Sequence, residues 1–391
     1  MKALSFDGSG IEYFKIWIVN VLLTILTLGL YHPWAKVRNN RYFYANSTLD
    51  GRNFEYHATG KQLFVGYLIA MALFITYVII NQISPTGSLI LVAILFLAIP
   101  WLILRSMIFN MRMTSFSNVH FDFSGTLGRA YINFFAYPIA LYLGLVLITI
   151  AMTMSISVGG VLAALLALVL ALGMITFLIF ALAFIKKKNT EYFMDHSQYG
   201  QGEFKTDVSI KEFMMISLKT TGVAILVMLI TGIVVGVGFY ATVGADSLML
   251  FGGAEQDPEL ITEKIKSLMP VLPIFYLGVI IASIFIMAYS ITLNRNYVYA
   301  NTRLDENVTF SSTLKALPLA WVLITNFIAV ILTLGLAFPW ARVRSARIML
   351  ENTQVKAENG FDDYLMQKQN QTSSLGEQIG DAFDVDVGIG F

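Results

Sequence analysis

The sequence contains no cysteine, so disulfides, thiolate metal sites and cysteine nucleophiles are excluded from the outset. Charge is scarce too: 13% of the 391 residues are Asp, Glu, Lys or Arg, against roughly 25% in soluble domains. Acids are missing from the middle of the long apolar stretches, which removes the intramembrane carboxylate that a proton-coupled carrier loads and unloads. Sodium coordination by backbone carbonyls and passive permeation stay open. No HExxH, no GxxxxGK[ST] and no GxGxxG after a strand occurs, and His32, His57, His120 and His196 lack i+4 partners. Neither metal nor cofactor is expected, and no nucleophile and base pair argues for an enzyme. Lys plus Arg number 26 against 25 acids, so charge gives no reason to expect nucleic acid. The opening MKALSFDGSG lacks the n-region and cleavage site of a signal peptide, so the first apolar segment is expected to be retained.

What the chain has in excess is apolar surface. With 57% hydrophobic residues and a mean hydropathy of +0.69, it carries more than one compact core could hide, so its solvent is lipid. Eight stretches approach the roughly 20 residues that cross a bilayer core, near 12–31, 63–83, 88–108, 130–154, 158–185, 213–243, 270–293 and 316–338. NQISPTGS and SVGG join the second to the third and the fourth to the fifth as tight, uncharged turns. The connections after Leu104, Ile185 and Leu293 hold Arg105, Arg112, Lys186, Lys187, Lys188, Arg295 and Arg303, which places them in the cytoplasm. If the end segments 12–31 and 316–338 dip in and return, every Lys and Arg except Lys264 and Lys266 is cytoplasmic; if both span, the rule is broken twice. Re-entry is the preferred reading and spanning the alternative. Non-helical backbone at depth requires protein cover, so the ends should pack on the six long helices.

The chain also repeats itself. TLGLYHPWAKVRNNRYFYANS from Thr27 returns as TLGLAFPWARVRSARIMLENT from Thr333, with Asn20, Gly29, Pro33 and Trp34 matching Asn326, Gly335, Pro339 and Trp340. Arg38, Arg41 and Asn46 match Arg344, Arg347 and Asn352, and Arg342 replaces Lys36. A fainter copy starts at Pro100-Trp101, and YANTRLDEN from Tyr299 echoes YANSTLDGR from Tyr44. Each unit begins with an aromatic, a small turn, then Ser or Thr before an apolar run, the pattern of a short strand feeding a capped helix. Ser9 with Glu12, Thr59 with Gln62 and Ser209 with Glu212 fit capping boxes. Asp50-Gly51 and Ser117-Asn118 are turn dipeptides, so each connection can fold as a small cytoplasmic hairpin.

These observations predict an all-α membrane protein with six spanning helices in three hairpins, two terminal apolar segments that re-enter or span, and short cytoplasmic strand and turn motifs from internal repeats. The expected transmembrane domain covers 1–353, in repeat units of about 6–53, 54–120, 121–203, 204–309 and 310–353. The remainder, 354–391, carries every acid that follows Glu351 and reads as a flexible cytoplasmic tail. Its end, FDVDVGIGF, alternates apolar and acidic residues and could add as a strand to an exposed edge or a partner protein.

The block TLGLYHPWAKVRNNRYFYANSTLDGRNFEYHATG, the later FPWARVR, EYFK at Glu12 and the tail GEQIGDAFDVDVG resemble the YjgN family of bacterial inner-membrane proteins, over essentially the whole chain. The resemblance implies a multi-pass protein of the bacterial inner membrane and no established activity.

Two groups of residues are candidates for function. Asn20, Thr24, Thr27, Gly29 and Pro33, with Asn326, Thr333, Gly335 and Pro339, place polar groups and helix breaks at depth, as transporters do at binding sites. The bland reading is that Asn and Thr bond neighbouring helices while Gly and Pro shape a bend. Trp34, Lys36, Arg38 and Arg41, with Trp340, Arg342, Arg344 and Arg347, suit the headgroup level and anionic lipid. Gly232 and Gly236 read as a helix-packing pair. The functional expectation is a carrier or channel for a small solute or lipid; the alternative is a non-transporting membrane scaffold or assembly factor. The bilayer with its anionic lipids and a protein partner for the tail are the expected contacts, and nothing indicates an oligomeric state.

Overall fold

The computed structural model describes residues 1–243, 266, 269, 272–358 and 360–369. The expected tail strand FDVDVGIGF and most of the acidic connection lie outside these residues.

Five strand–helix–helix–strand units follow one another. The first is β1 (Lys2–Phe6), α1 (Gly10–Leu26), α2 (His32–Ala45) and β2 (Ser47–Leu49). The second is β3 (Arg52–Tyr56), α3 (Gly60–Ile83), α4 (Pro85–Arg112) and β4 (Thr114–Phe116). The third is β5 (Val119–Phe123), α5 (Leu127–Tyr131), a π-helical turn (Ile132–Ala136), α6 (Tyr137–Val158), α7 (Gly160–Met194) and β6 (Ser197–Tyr199). The fourth is β7 (Gly202–Thr206), α8 (Ile210–Val243), α9 (Leu272–Ala300) and β8 (Thr302–Leu304). The fifth is β9 (Val308–Ser312), α10 (Ala316–Leu332), α11 (Phe338–Glu351) and β10 (Thr353–Ala357). A final helix, α12 (361–369), follows.

Local chemistry closes every unit in the same way. The backbone amide just after the first strand bonds the carbonyl just before the last one: Asp7 to Asn46, His57 to Met113, Ser124 to His196, Asp207 to Asn301 and Thr313 to Asn352, at 2.8–3.0 Å. The first residue of each closing strand, Ser47, Thr114, Ser197, Thr302 and Thr353, donates its hydroxyl to the carbonyl four residues back, satisfying an orphan acceptor at the helix end. Asp50-Gly51 and Ser117-Asn118 take the left-handed conformations that two-residue hairpin turns need. Unit boundaries therefore fall at these turns, a few residues before the expected 53 and 120.

The strands join in sequence order into a closed barrel, β10 pairing back onto β1. The chain is mostly helical, as expected, but the strand motifs are one continuous structure rather than separate hairpins. Closure leaves no strand edge, which lets strands of three to five residues persist. The third residue of each closing strand, Leu49, Phe116, Tyr199, Leu304 and Val355, turns inward and is buried. Tyr364 and Leu365 of α12 complete this core, with Phe361 packed against it. Residues 354–357 are thus strand and 361–369 barrel plug, which corrects the expectation of a tail flexible from 354.

Among the described residues six helices are long and apolar enough to cross a membrane: Gly60–Ile83, Pro85–Arg112, Leu127–Val158, Gly160–Met194, Ile210–Gly238 and Phe275–Ala300. The expected segment 12–31 is helical only to Leu26 and 316–338 only to Leu332, because Leu28-Gly29 and Leu334-Gly335 turn left-handed and break each helix. Helices pack extensively on their ring neighbours in the barrel's order, from α1 through α11 and back to α1. Gly232 and Gly236 face open space and so do not serve the close helix packing expected of them.

Candidate functional site

The two terminal hairpins repeat one geometry. Thr27 and Thr333 hydroxyls bond carbonyls four residues back, at Leu23 and Ala329, and accept the amides of Tyr31 and Ala337, so each spans the chain reversal. Gly29 and Gly335 both sit at φ 93°, and their amides bond Thr24 and Val330 carbonyls at 2.7 Å. Buried Pro33 and Pro339 open the returning helices, where the missing amide costs nothing. Asn20 and Asn326, 3% and 6% exposed, each accept Nη1 of the matching arginine, Arg38 at 3.1 Å and Arg344 at 2.9 Å. Their amides donate to Asn39 in one copy and to Ser345 and the Ala341 carbonyl in the other. Thr24 bonds the Asn20 carbonyl.

The basic residues expected at lipid headgroups mostly bind protein. Arg41 Nη2 donates to the Ala58 carbonyl and Arg347 Nη2 to the Gly8 carbonyl, each tying its unit to the start of the next around the ring. Asn296 does the same to Leu314, at the equivalent place. Trp34 covers Gly60 and Trp340 covers Gly10 so closely that a Cβ would overlap the indole. Arg342 lies 5.0 Å over the Phe43 ring. Lys36 is exposed on α2, where it lines a cavity of about 500 Å³ with Asn20, Thr24, His32, Asn39 and Arg342. Asn326, Thr333, Gly335 and Pro339 do not line it; the second copy contributes Arg342.

A second, apolar cavity of about 180 Å³ lies in the barrel between Phe54, Phe121, Phe204, Phe310 and the α12 plug. Asp305 holds the plug: its Oδ2 accepts Tyr364 Oη at 3.0 Å and pairs with Lys368 Nζ at 2.8 Å. Burial works against ionisation of Asp305, but Lys368, Tyr364 and the Glu203 amide outweigh it and hold the carboxyl below its ordinary range. Burial raises the Tyr364 phenol, and the Asp305 charge raises it further. Arg52 to Asp362 at 2.8 Å and Gln369 to the Ser117 carbonyl add two more ties. Sequence reasoning missed this plug. The available signal was the spacing of Phe361, Tyr364 and Leu365, one helical stripe inside an otherwise polar tail. It also missed that β-pairing brings the rings of His57 and His120 to 4.8 Å. Among the described residues no group of three His, Cys, Asp or Glu could hold a metal ion.

Comparison with known proteins places these features. Residues 1–382 match the family described as bacterial protein of unknown function, DUF898. The chain belongs to this family. Inner membrane protein YjgN of Salmonella typhimurium is similar at 29% identity over 364 residues, 91% of this chain and 88% of that protein. Inner membrane protein YjgN of Escherichia coli K12 is 35% identical over 144 residues, 36% of this chain and 35% of that protein. No solved structure matches. With its six apolar helices, this DUF898 member is a multi-pass protein of the inner-membrane YjgN type.

Proposed function

We propose that this protein holds lipid within its ring of helices and acts as a lipid carrier, with the barrel and most Lys and Arg on the cytoplasmic side. One observation carries the reading: single helices expose apolar side chains on opposite sides. Val65 and Phe74 of α3 are 61% and 65% exposed and lie nine residues apart, two and a half turns at 3.6 residues per turn. Ile90 and Ile99, Leu147 and Ile156, Leu166 and Ile175, and Ile225 and Val234 are exposed at the same spacing. A helix in a solid bundle hides one face, whereas a helix in a single-layer ring leaves two open. Here both are apolar, and an inner face of Ile, Leu, Val and Phe offers an ion or a hydrophilic solute nothing to bind. Acyl chains match it.

The terminal hairpins supply an entrance. Paired strands bring each hairpin's two ends together, Phe6 opposite Ser47 and Ser312 opposite Thr353, so each enters and leaves through one face. Their apices expose Leu28 and Leu334 at 92% and 94%, a cost that burial in the near leaflet removes. At 17 residues, α1 and α10 reach only about 25 Å. Above them the sector between α3 and α9, the first and last of the spanning helices, is open to the bilayer.

The test is reconstitution of the full chain into vesicles containing fluorescent phospholipid, with leaflet exchange read by chemical bleaching from outside. Exchange above that of protein-free vesicles and lipid retained through purification are expected. Neither occurring would refute the reading. The plugged barrel favours a second reading, a membrane scaffold whose tail recruits a protein; this predicts a tail-dependent partner and no lipid exchange.

A further inference from the structure

Among the described residues the third unit alone carries a π-helical turn, Ile132–Ala136, at the foot of α6. Single π turns inside α-helices recur at functional sites because they realign side chains. This one brings Arg129, Asn133 and Tyr137, at four-residue steps, onto a polar cavity of about 320 Å³ whose far wall is Lys188, Glu191 and His196 of α7 and its end. Asn133 is 7% exposed, and its amide has no hydrogen-bond partner among the described residues. A buried amide facing a polar cavity without a protein partner calls for a ligand group. Tyr137 likewise keeps its hydroxyl free of protein bonds among the described residues while its ring packs on Phe184.

The charges set the sign of that group. Glu191 is shared by Lys187 at 3.0 Å and Lys188 at 2.9 Å. Among the described residues no carboxylate lies within ion-pair distance of Arg129, though its charge acts on Asp195; its Nη1 contacts His196 Nε2 at 3.2 Å, while His196 Nδ1 lies 2.9 Å from the Tyr192 carbonyl. That arrangement suits Nδ1 as the donor and Nε2 as the acceptor. Among the described residues Asp195, which accepts the Thr206 amide, is the other acid lining the cavity; Lys187 pairs with Glu191 from outside the lining, and with it counted Arg129, Lys187 and Lys188 exceed Glu191 and Asp195 by one positive charge. A monoanion with several acceptor oxygens balances it, and a guanidinium fork suits such a group.

We propose that this cavity binds a phosphodiester, with Arg129, Asn133 and Tyr137 donating to its oxygens. Resting on the lipid reading, the source is the headgroup of a phospholipid whose chains enter the helix ring. His196 immediately precedes β6, so the cavity lies where the helices leave the barrel, at headgroup level.

The experiment uses the full chain in detergent and measures retained lipid by native mass spectrometry. It compares phospholipid with diacylglycerol of the same chains, for the natural protein, Arg129→Ala and Tyr137→Phe. Phospholipid binding at least tenfold tighter than diacylglycerol, with that preference lost in Arg129→Ala and reduced in Tyr137→Phe, is expected. Tyr137→Phe removes one hydroxyl and keeps the fold, so an unfolded Arg129→Ala does not end the test. Displacement by millimolar inorganic phosphate would support the anion site and identify free phosphate as its source. Equal retention of both lipids by all three proteins would overturn this inference and leave the lipid-filled ring standing. Retention of neither lipid would overturn both, unless inorganic phosphate alone binds in an Arg129-dependent way, which overturns only the ring.

Discussion

Asn20 and Asn326 are polar residues in apolar helices, and each holds the arginine of its returning helix, a contact that suits the packing reading. Asn20→Ala leaves the Arg38 and Asn39 groups without their partner and should cost about 1–3 kcal/mol. Thermal unfolding in detergent measures this, and Asn20→Ala combined with Arg38→Ala should cost less than the sum; strict additivity would dismiss the pair. Gly60→Ala should destabilise by about 1–3 kcal/mol through overlap with Trp34, whereas Gly66→Ala, which faces open space, should not. The asparagines and glycines were legible from the repeat. Their partners were not, because Arg38 in the sequence reads equally well as a lipid anchor until the fold puts it on Asn20.

At the scale of elements, the TLGL reversals and the α12 plug carry testable consequences. Leu28→Trp and Leu334→Trp should each emit at short wavelength and be quenched by brominated lipid; unquenched emission would place the apices outside the bilayer. The plug should be pH-dependent through Asp305. Its carboxyl titrates below its ordinary value, about 3.9 when unfolded, so the stabilisation is full above that pH and fades as pH falls through the lowered folded value. Limited proteolysis should therefore release α12 at acid pH in the natural protein, and Asp305→Asn should release it at neutral pH too. Strand positions were partly legible, since turn dipeptides and capping residues act over a few residues. Thr59 and Gln62 form the expected capping box, but Ser209 accepts the Lys211 amide instead of engaging Glu212.

At the scale of the molecule, five units form a closed ring in both layers, and the ring decides topology. All units start and finish at the barrel, so Lys36→Cys and Glu351→Cys, made in this cysteine-free chain, should label from one side of the membrane. Ile83→Cys, at the far end of α3, should label from the other. Labelling of Lys36→Cys and Glu351→Cys from opposite sides would dismantle the ring. Two of the five units were evident from identity alone, and the rest from fainter copies and from the aromatic, turn and Ser or Thr that open each unit.

The sequence by itself determined the solvent, the number of long apolar helices, the duplicated ends and the turn positions, because hydropathy, capping and turn chemistry act within about 20 residues. Tertiary structure alone decided that ten short strands close on each other, that α12 fills the barrel, that Arg38 serves Asn20, and that a π turn lines up Arg129, Asn133 and Tyr137. Those outcomes depend on pairing between residues up to 353 positions apart, as when Lys2 meets Val355, and no local pattern encodes which distant edge completes a ring.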